Sequence, residues 1–267
     1  MTTEVDVVCV GCGSAVRRPA AVARVGSWRA TVRCPACATA TELTAETERA
    51  RHLADQMRAR WVARVRAFDP AARYDIAAIT DFDGPVFRST ITAVVDDHQA
   101  GARTDPTRTG VLLIGPSGIG KTRAMFAILN EVATSASRIE FGSEDEILGA
   151  SKPSWEMAGH IAARVGRANV IGIDDVGVSV RRPDERMVAW KVFADVVARE
   201  SNPVLVVMTT NLRGWRPLEE WVGAQAASRL STWLPLATPG FRDWRTGRVH
   251  ETWKHDLERA QQAGAQP

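Results

Sequence analysis

The stretch "VLLIGPSGIGKTRAMFAIL", residues 111 to 129, decides the fold. Four apolar residues run into a glycine-rich loop, and a helix-like segment follows. The loop, Gly115, Pro116, Ser117, Gly118, Ile119, Gly120, Lys121 and Thr122, fits G-x-x-x-x-G-K-[ST] in the strand–loop–helix setting that gives the pattern its meaning. Glycines let the backbone close around phosphate oxygens, and amides at the helix N-terminus donate to the anion. All eight residues are therefore read as nucleotide-binding. Lys121 reaches the outer phosphates, and the Thr122 hydroxyl suits Mg²⁺.

Working outward, short apolar runs alternate with helix-like segments: "RIEF" (138–141), "VIGI" (170–173), "VLVVM" (204–208) and "WLPL" (233–236). With "VLLI" they predict an α/β P-loop fold, a parallel five-stranded sheet flanked by helices. The run at 170–173 leads into "IDDVG". Carboxylates at the end of an apolar strand are costly unless compensated. Asp174 beside the P-loop suits Mg²⁺, and Asp175 suits the base that positions an attacking water. "TTNL" follows the next strand, and Asn211 there is read as orienting that water. Arg229, in "SRL" on a short helix, is a candidate for a neighbouring subunit's γ-phosphate, where it would stabilise transition-state charge. Arg242 and Arg245, in "GFRDWR", are second candidates.

The whole chain has 267 residues, 45% hydrophobic and 24% charged, with a formal net charge of only +3. That is room for one core plus a small module. The total charge does not by itself demand a nucleic-acid partner. No apolar run approaches the roughly 20 residues a membrane span needs, and "MTTEVDVVCVGCG" lacks a signal pattern. The expected setting is cytoplasmic, with no membrane partner.

All four cysteines lie in the first forty residues. Cys9 and Cys12 form "CVGC", and Cys34 and Cys37 form "CPAC". Two such pairs, about twenty residues apart, fit a structural Cys₄ Zn²⁺ ribbon with no open ligand position. "EVDVVCV" and "SWRATVRC" read as its strands. Local arginines (17, 18, 24, 29 and 33) suit either phosphate backbone or a protein surface.

The predicted organisation is a β-rich zinc ribbon over 1–40, a basic amphipathic helix or linker over 41–68, an ATPase domain over 69–258 and a disordered tail over 259–267. The helix is expected to start at a Thr44 cap. Its stripe of Leu53, Met57, Trp61 and Val65 suits either a partner's groove or packing on its own domain.

Together "GPSGIGKT", "IDDVG", "TTNL", "SRL" and the closing "GFRDWR" resemble the AAA+ ATPases of the DnaC/DnaI helicase-loader and IstB transposition-helper group, over roughly residues 69 to 246. The paired Asp followed by Val-Gly is more specific than the P-loop. The resemblance implies Asn211 as sensor 1, Arg229 as an arginine finger acting in trans, and Arg245 near the sensor-2 position. It implies Mg²⁺-dependent hydrolysis of ATP bound between subunits of a homo-oligomer. It also implies a replicative ring helicase and single-stranded DNA as partners. Two alternatives stay open: an IstB-like transposition helper acting on duplex DNA, and a zinc-ribbon adaptor that does not hydrolyse.

Overall fold

The structure, a computed structural model, describes residues 4–19, 33–38, 40–69, 71, 73–82, 84–100, 110–133, 138–199, 204–233, 236–240 and 254. A two-stranded antiparallel hairpin, β1 (Glu4–Val8) and β2 (Ala15–Pro19), opens the chain. Helix α1 (Ala40–Phe68) follows, then a single 3-10 turn (Ile79–Asp81) and α2 (Pro85–Ala100). The α/β part runs β3 (Gly110–Ile114), α3 (Lys121–Val132), β4 (Ile139–Ser143), α4 (Glu144–Ile147), α5 (Ser154–Val165), β5 (Val170–Val176), α6 (Pro183–Arg199), β6 (Leu205–Thr210), α7 (Trp215–Val222), α8 (Ala224–Trp233) and β7 (Leu236–Ala237).

The large sheet has the order β4-β5-β6-β3-β7 and every pairing in it is parallel. Its strands are buried on both faces, so successive residues feed opposite cores. Leu112, Ile114, Ile171, Ile173, Val206 and Met208 face one core, shared with Trp190 and Phe193 of α6 and Leu218 of α7. Val111, Leu113, Val170, Leu205 and Val207 face the other, with Met125, Phe126 and Leu129 of α3 and Ile91 of α2.

Three expectations about element ends are corrected. Helix α1 starts at Ala40, not at Thr44, because "ATELTAETE" is rich in strong helix formers and propagates past the threonine. The acid strand runs to Val176, taking both aspartates into the sheet. Of "WLPL", Trp233 ends α8, and only Leu236 and Ala237 pair with β3. Pro235 stands between them and has no N–H for a ladder. Of the expected ribbon strand "SWRATVRC" (27–34), residues 27–32 lie outside the described residues and Arg33 and Cys34 are not in a strand; the tail at 259–267 also lies outside the described residues.

Helix α1, read as either a docking element or one packed on its own domain, is anchored by its last turns. Trp61 and Val65 are buried in the α3 core, while Leu53 and Met57 are half-exposed. Trp61 donates its indole N–H to Asn130 Oδ1 at 2.7 Å. Asn130 in turn donates to the carbonyls of Tyr74 and Ala77, both at 2.9 Å. This one buried amide fastens α1 and the segment after it to α3, and its polar atoms are satisfied in doing so.

Candidate ATP and metal sites

Strand order sets the site. Strand β3 delivers the P-loop and β5 delivers the acids, and β6 lies between them. Residues at the end of β6 can therefore reach both.

Gly118 and Gly120 sit at φ 93° and 90°, the left-handed region in which a side chain would be strained. Helix α3 begins directly after Gly120 with no side-chain cap on its first turn, which leaves amides for an anion. Lys121 is buried, and its ammonium donates to the carbonyls of Gly115 and Pro116, both at 2.9 Å, and to Asn211 Oδ1 at 2.7 Å. The sensor candidate is thus in direct contact with the P-loop lysine.

On the other side, the Thr122 hydroxyl donates to both Asp174 oxygens, at 3.0 and 3.1 Å. The Thr209 hydroxyl donates to Asp174 Oδ1 at 2.5 Å and accepts from the Asp175 amide at 2.9 Å. Thr209 is fully buried. It was legible only as part of the polar cluster at the end of β6. Its bridging of the two acids had no sequence signal beyond a threonine pair ending an apolar strand.

The register explains why there are two aspartates. Ile173 pairs with Met208 and Val176 pairs with Thr210, so Asp174 and Asp175 together oppose Thr209 alone. This is a β-bulge, the device by which a strand re-aims a side chain. Asp175 takes φ 54°, and no other non-glycine residue among those described has a positive φ. In an even strand two neighbours would point to opposite faces. Here Asp174 stays buried in the site and Asp175 is exposed beside it.

Burial pushes the Asp174 carboxyl above its ordinary range, and the charge of Asp175 adds to the effect. The hydroxyls of Thr209 and Thr122 offset part of it. A buried carboxylate whose partners are neutral hydroxyls, next to a P-loop threonine, is a donor set suited to a hard divalent cation. Thr122 and Asp174 fit Mg²⁺ on that ground.

Arg229 is exposed on α8 and ion-paired with Asp195 of α6. Among the described residues it makes no contact with the P-loop. Arg242 and Arg245 lie outside the described residues.

At the N-terminus, Cys9, Cys12, Cys34 and Cys37 bring their four sulfurs within 4.8 Å of one another. Tetrahedral zinc with bonds of about 2.3 Å needs sulfurs roughly 3.8 Å apart, and Cys12 and Cys34 are at 3.5 Å. Amides of Cys34 and Gly11 donate to Cys9 Sγ at 3.1 and 3.4 Å. The first of these pulls the Cys9 thiol down to about 6. Cys37 is pushed up to about 12 by the sulfurs of Cys34 and Cys12, which leave it no favourable way to ionise alone. A divalent ion removes that conflict. The four residues fit Zn²⁺.

The family model for IstB-like ATP binding protein matches residues 42–233, over two thirds of the chain. The chain belongs to the IstB-like ATP-binding family. It is a P-loop ATP-binding protein, and the family match begins inside α1. No curated protein matches the sequence. Among solved structures it is similar to DnaI at 20% identity, covering 64% of this chain and 91% of that one, with a TM-score of 0.49. It is similar to the DnaC helicase loader at 18% identity, covering 62% and 98%, with a TM-score of 0.49. It is also similar to AMPPCP-bound DnaA from Aquifex aeolicus at 17% identity, covering 69% and 56%, with a TM-score of 0.48. Among the described residues no helix is long and apolar enough to cross a membrane.

Proposed function

We propose that this family member uses ATP hydrolysis to load a replicative ring helicase onto single-stranded DNA. The observation that carries the hydrolytic part is the continuous network from Lys121 through Asn211 and β6 to Thr209, Asp174 and Asp175. A site that only held nucleotide would need the P-loop. It would have no use for a second, exposed carboxylate held in a left-handed conformation by a neighbouring strand.

In this mechanism the P-loop amides and Lys121 bind the phosphates. Mg²⁺, held by Thr122 and Asp174, supplies charge neutralisation at the phosphate oxygens when bound. Asp175 accepts a proton from the attacking water, and Asn211 orients that water. Lys121 exchanges its contact with Asn211 for phosphate, which frees Asn211 for this task. Arg229 of a neighbouring subunit stabilises the leaving charge, with the pair to Asp195 holding it on α8 until subunits meet. Thus the working form is a homo-oligomer with ATP between subunits.

The helicase-loader reading is supported by the motif register and by an N-terminal cysteine module able to serve as a separate grip on a partner. Its test is co-purification of the full chain with hexameric ring helicases, with and without ATP, followed by helicase loading on single-stranded DNA. Binding with ATP-dependent loading is expected. A protein that neither binds a ring helicase nor alters its loading overturns the reading. The second reading is an IstB-like helper of transposition on duplex DNA, favoured by the family match itself. Preference for duplex over single strands, with a transposase as partner, selects it.

A further inference from the structure

Glu144 opens α4, directly after β4, and its side chain is 1% exposed. Among the described residues no cation pairs with it. Instead three N–H groups converge on its two oxygens. Trp190 Nε1 donates to Oε1 at 2.7 Å. Trp221 Nε1 donates to Oε1 and Oε2, at 2.9 and 3.1 Å. The backbone amide of Gly177 donates to Oε2 at 3.0 Å. An acceptor-only side chain facing three donors is fully matched, which explains how a carboxylate is tolerated so deep in the core.

Its partners come from three places. Trp190 belongs to α6, Trp221 to α7, and Gly177 is the first residue after β5, two beyond Asp175. Trp221 is itself fixed by the buried Arg186, whose guanidinium lies 3.5 Å from the ring centroid and donates to the Trp221 carbonyl at 3.0 Å. Gly177 has φ 110°, and a side chain there would press on Leu212. The end of the acid strand is thus tied at three successive residues: Asp175 N to Thr209, Val176 O to the Thr210 hydroxyl at 2.6 Å, and Gly177 N to Glu144. The first two ties come from β6. The third comes from the other neighbour of β5, through α4.

We propose that Glu144 is a positioning residue for ATP hydrolysis: it holds the chain after the bulge, and so the place of the Asp175 carboxylate, against the α6–α7 layer. The inference rests on the reading of Asp175 as the base. A carboxylate is required at 144. Glutamine offers one acceptor oxygen for three donors. With its oxygen toward the indoles, its NH₂ meets the Gly177 N–H, donor against donor, and the tie is lost.

The test compares Glu144→Gln with wild type in the full chain, by Mg-ATP affinity, by turnover and by the amide resonance of Gly177 in glycine-labelled protein. Turnover is expected to fall by about ten-fold or more, because misplacement by an ångström is that costly. Affinity for Mg-ATP is expected to stay within about two-fold, since the P-loop is untouched. The Gly177 amide proton should move upfield on losing a charge-assisted bond. Unchanged turnover in folded Glu144→Gln, or affinity and turnover falling together with the Gly177 resonance unmoved, overturns the proposal. Should Glu144→Gln not fold, Trp221→Phe removes one donor and keeps a smaller aromatic ring in its place. Reduced turnover with retained affinity is then expected, and wild-type turnover overturns the proposal. Asp175→Asn, measured alongside, separates the two layers. If it hydrolyses normally, the reading of Asp175 fails. If it is inactive while Glu144→Gln is normal, only the role of Glu144 fails.

Discussion

Replacing Thr209 by valine removes one hydroxyl and keeps the shape, which makes it a sensitive probe of the bulge. The hydroxyl has two jobs: it donates to the Asp174 carboxylate and accepts from the Asp175 amide. Loss of a bond to a charged group costs about 1.5–3 kcal/mol, and a stranded amide adds about 1–3 kcal/mol. The extra apolar carbon returns about 1 kcal/mol. The net loss should be about 3 kcal/mol, large beside the roughly 0.5 kcal/mol expected for an ordinary surface change. For a domain of this size that lowers the melting temperature by about 6–12 °C. Thr232→Val is the control, since Thr232 is exposed and, among the described residues, its hydroxyl bonds within its own helix. The assay is thermal and urea unfolding of the full chain, with turnover of the folded protein measured in parallel. Turnover should drop about ten-fold as the Asp175 backbone loses its anchor. If Thr209→Val melts with wild type and hydrolyses ATP at the wild-type rate, the bulge is held by something other than this hydroxyl.

Two further outcomes follow from the same geometry. Because burial raises the Asp174 carboxyl, its contribution to stability is full below the unfolded value of about 3.9 and is lost as pH rises through the raised folded value. Asp174→Asn should therefore melt above wild type at pH 7 without nucleotide, should lose that advantage below about pH 4, and should gain less from Mg-ATP than wild type does; a lower melting temperature at pH 7 would contradict this. Among the described residues of the N-terminal module the buried apolar groups are Cys9, Val16 and Cys34, too few for a core. Chelation of zinc should expose residues 1–39 to protease while 42–233 stays intact, and unchanged protection of the module would argue against a structural metal.

How much of this was legible in the sequence depends on how local each feature is. The P-loop is a contiguous stretch whose glycines and lysine serve one ligand, so "GPSGIGKT" could be read directly. The paired CxxC motifs are nearly as local. The α/β sheet followed from apolar runs, though their ends did not. The bulge extends β5 through two aspartates that composition would assign to a turn, and the propensity of residues 40–48 carries α1 past a threonine that looked like a cap. Contacts set by tertiary packing left no local sign. Thr209 meets Asp174 across 35 positions, and Glu144 meets Gly177, Trp190 and Trp221 across 33, 46 and 77. In sequence Glu144 is one of three acids in "SEDEI", a stretch that reads as a capped helix start on the surface. Ser143 and Glu146 do form that capping box. Nothing in the pattern separates them from the residue that turns inward.

The central claim, that Asp175 performs chemistry at a site whose binding groups lie elsewhere, is tested most directly by Asp175→Asn. Single-turnover hydrolysis and calorimetric titration with Mg-ATP would be measured on the same preparation. The account predicts binding within about three-fold of wild type and hydrolysis slower by about 100-fold or more. Hydrolysis at the wild-type rate by a variant that binds normally would contradict it.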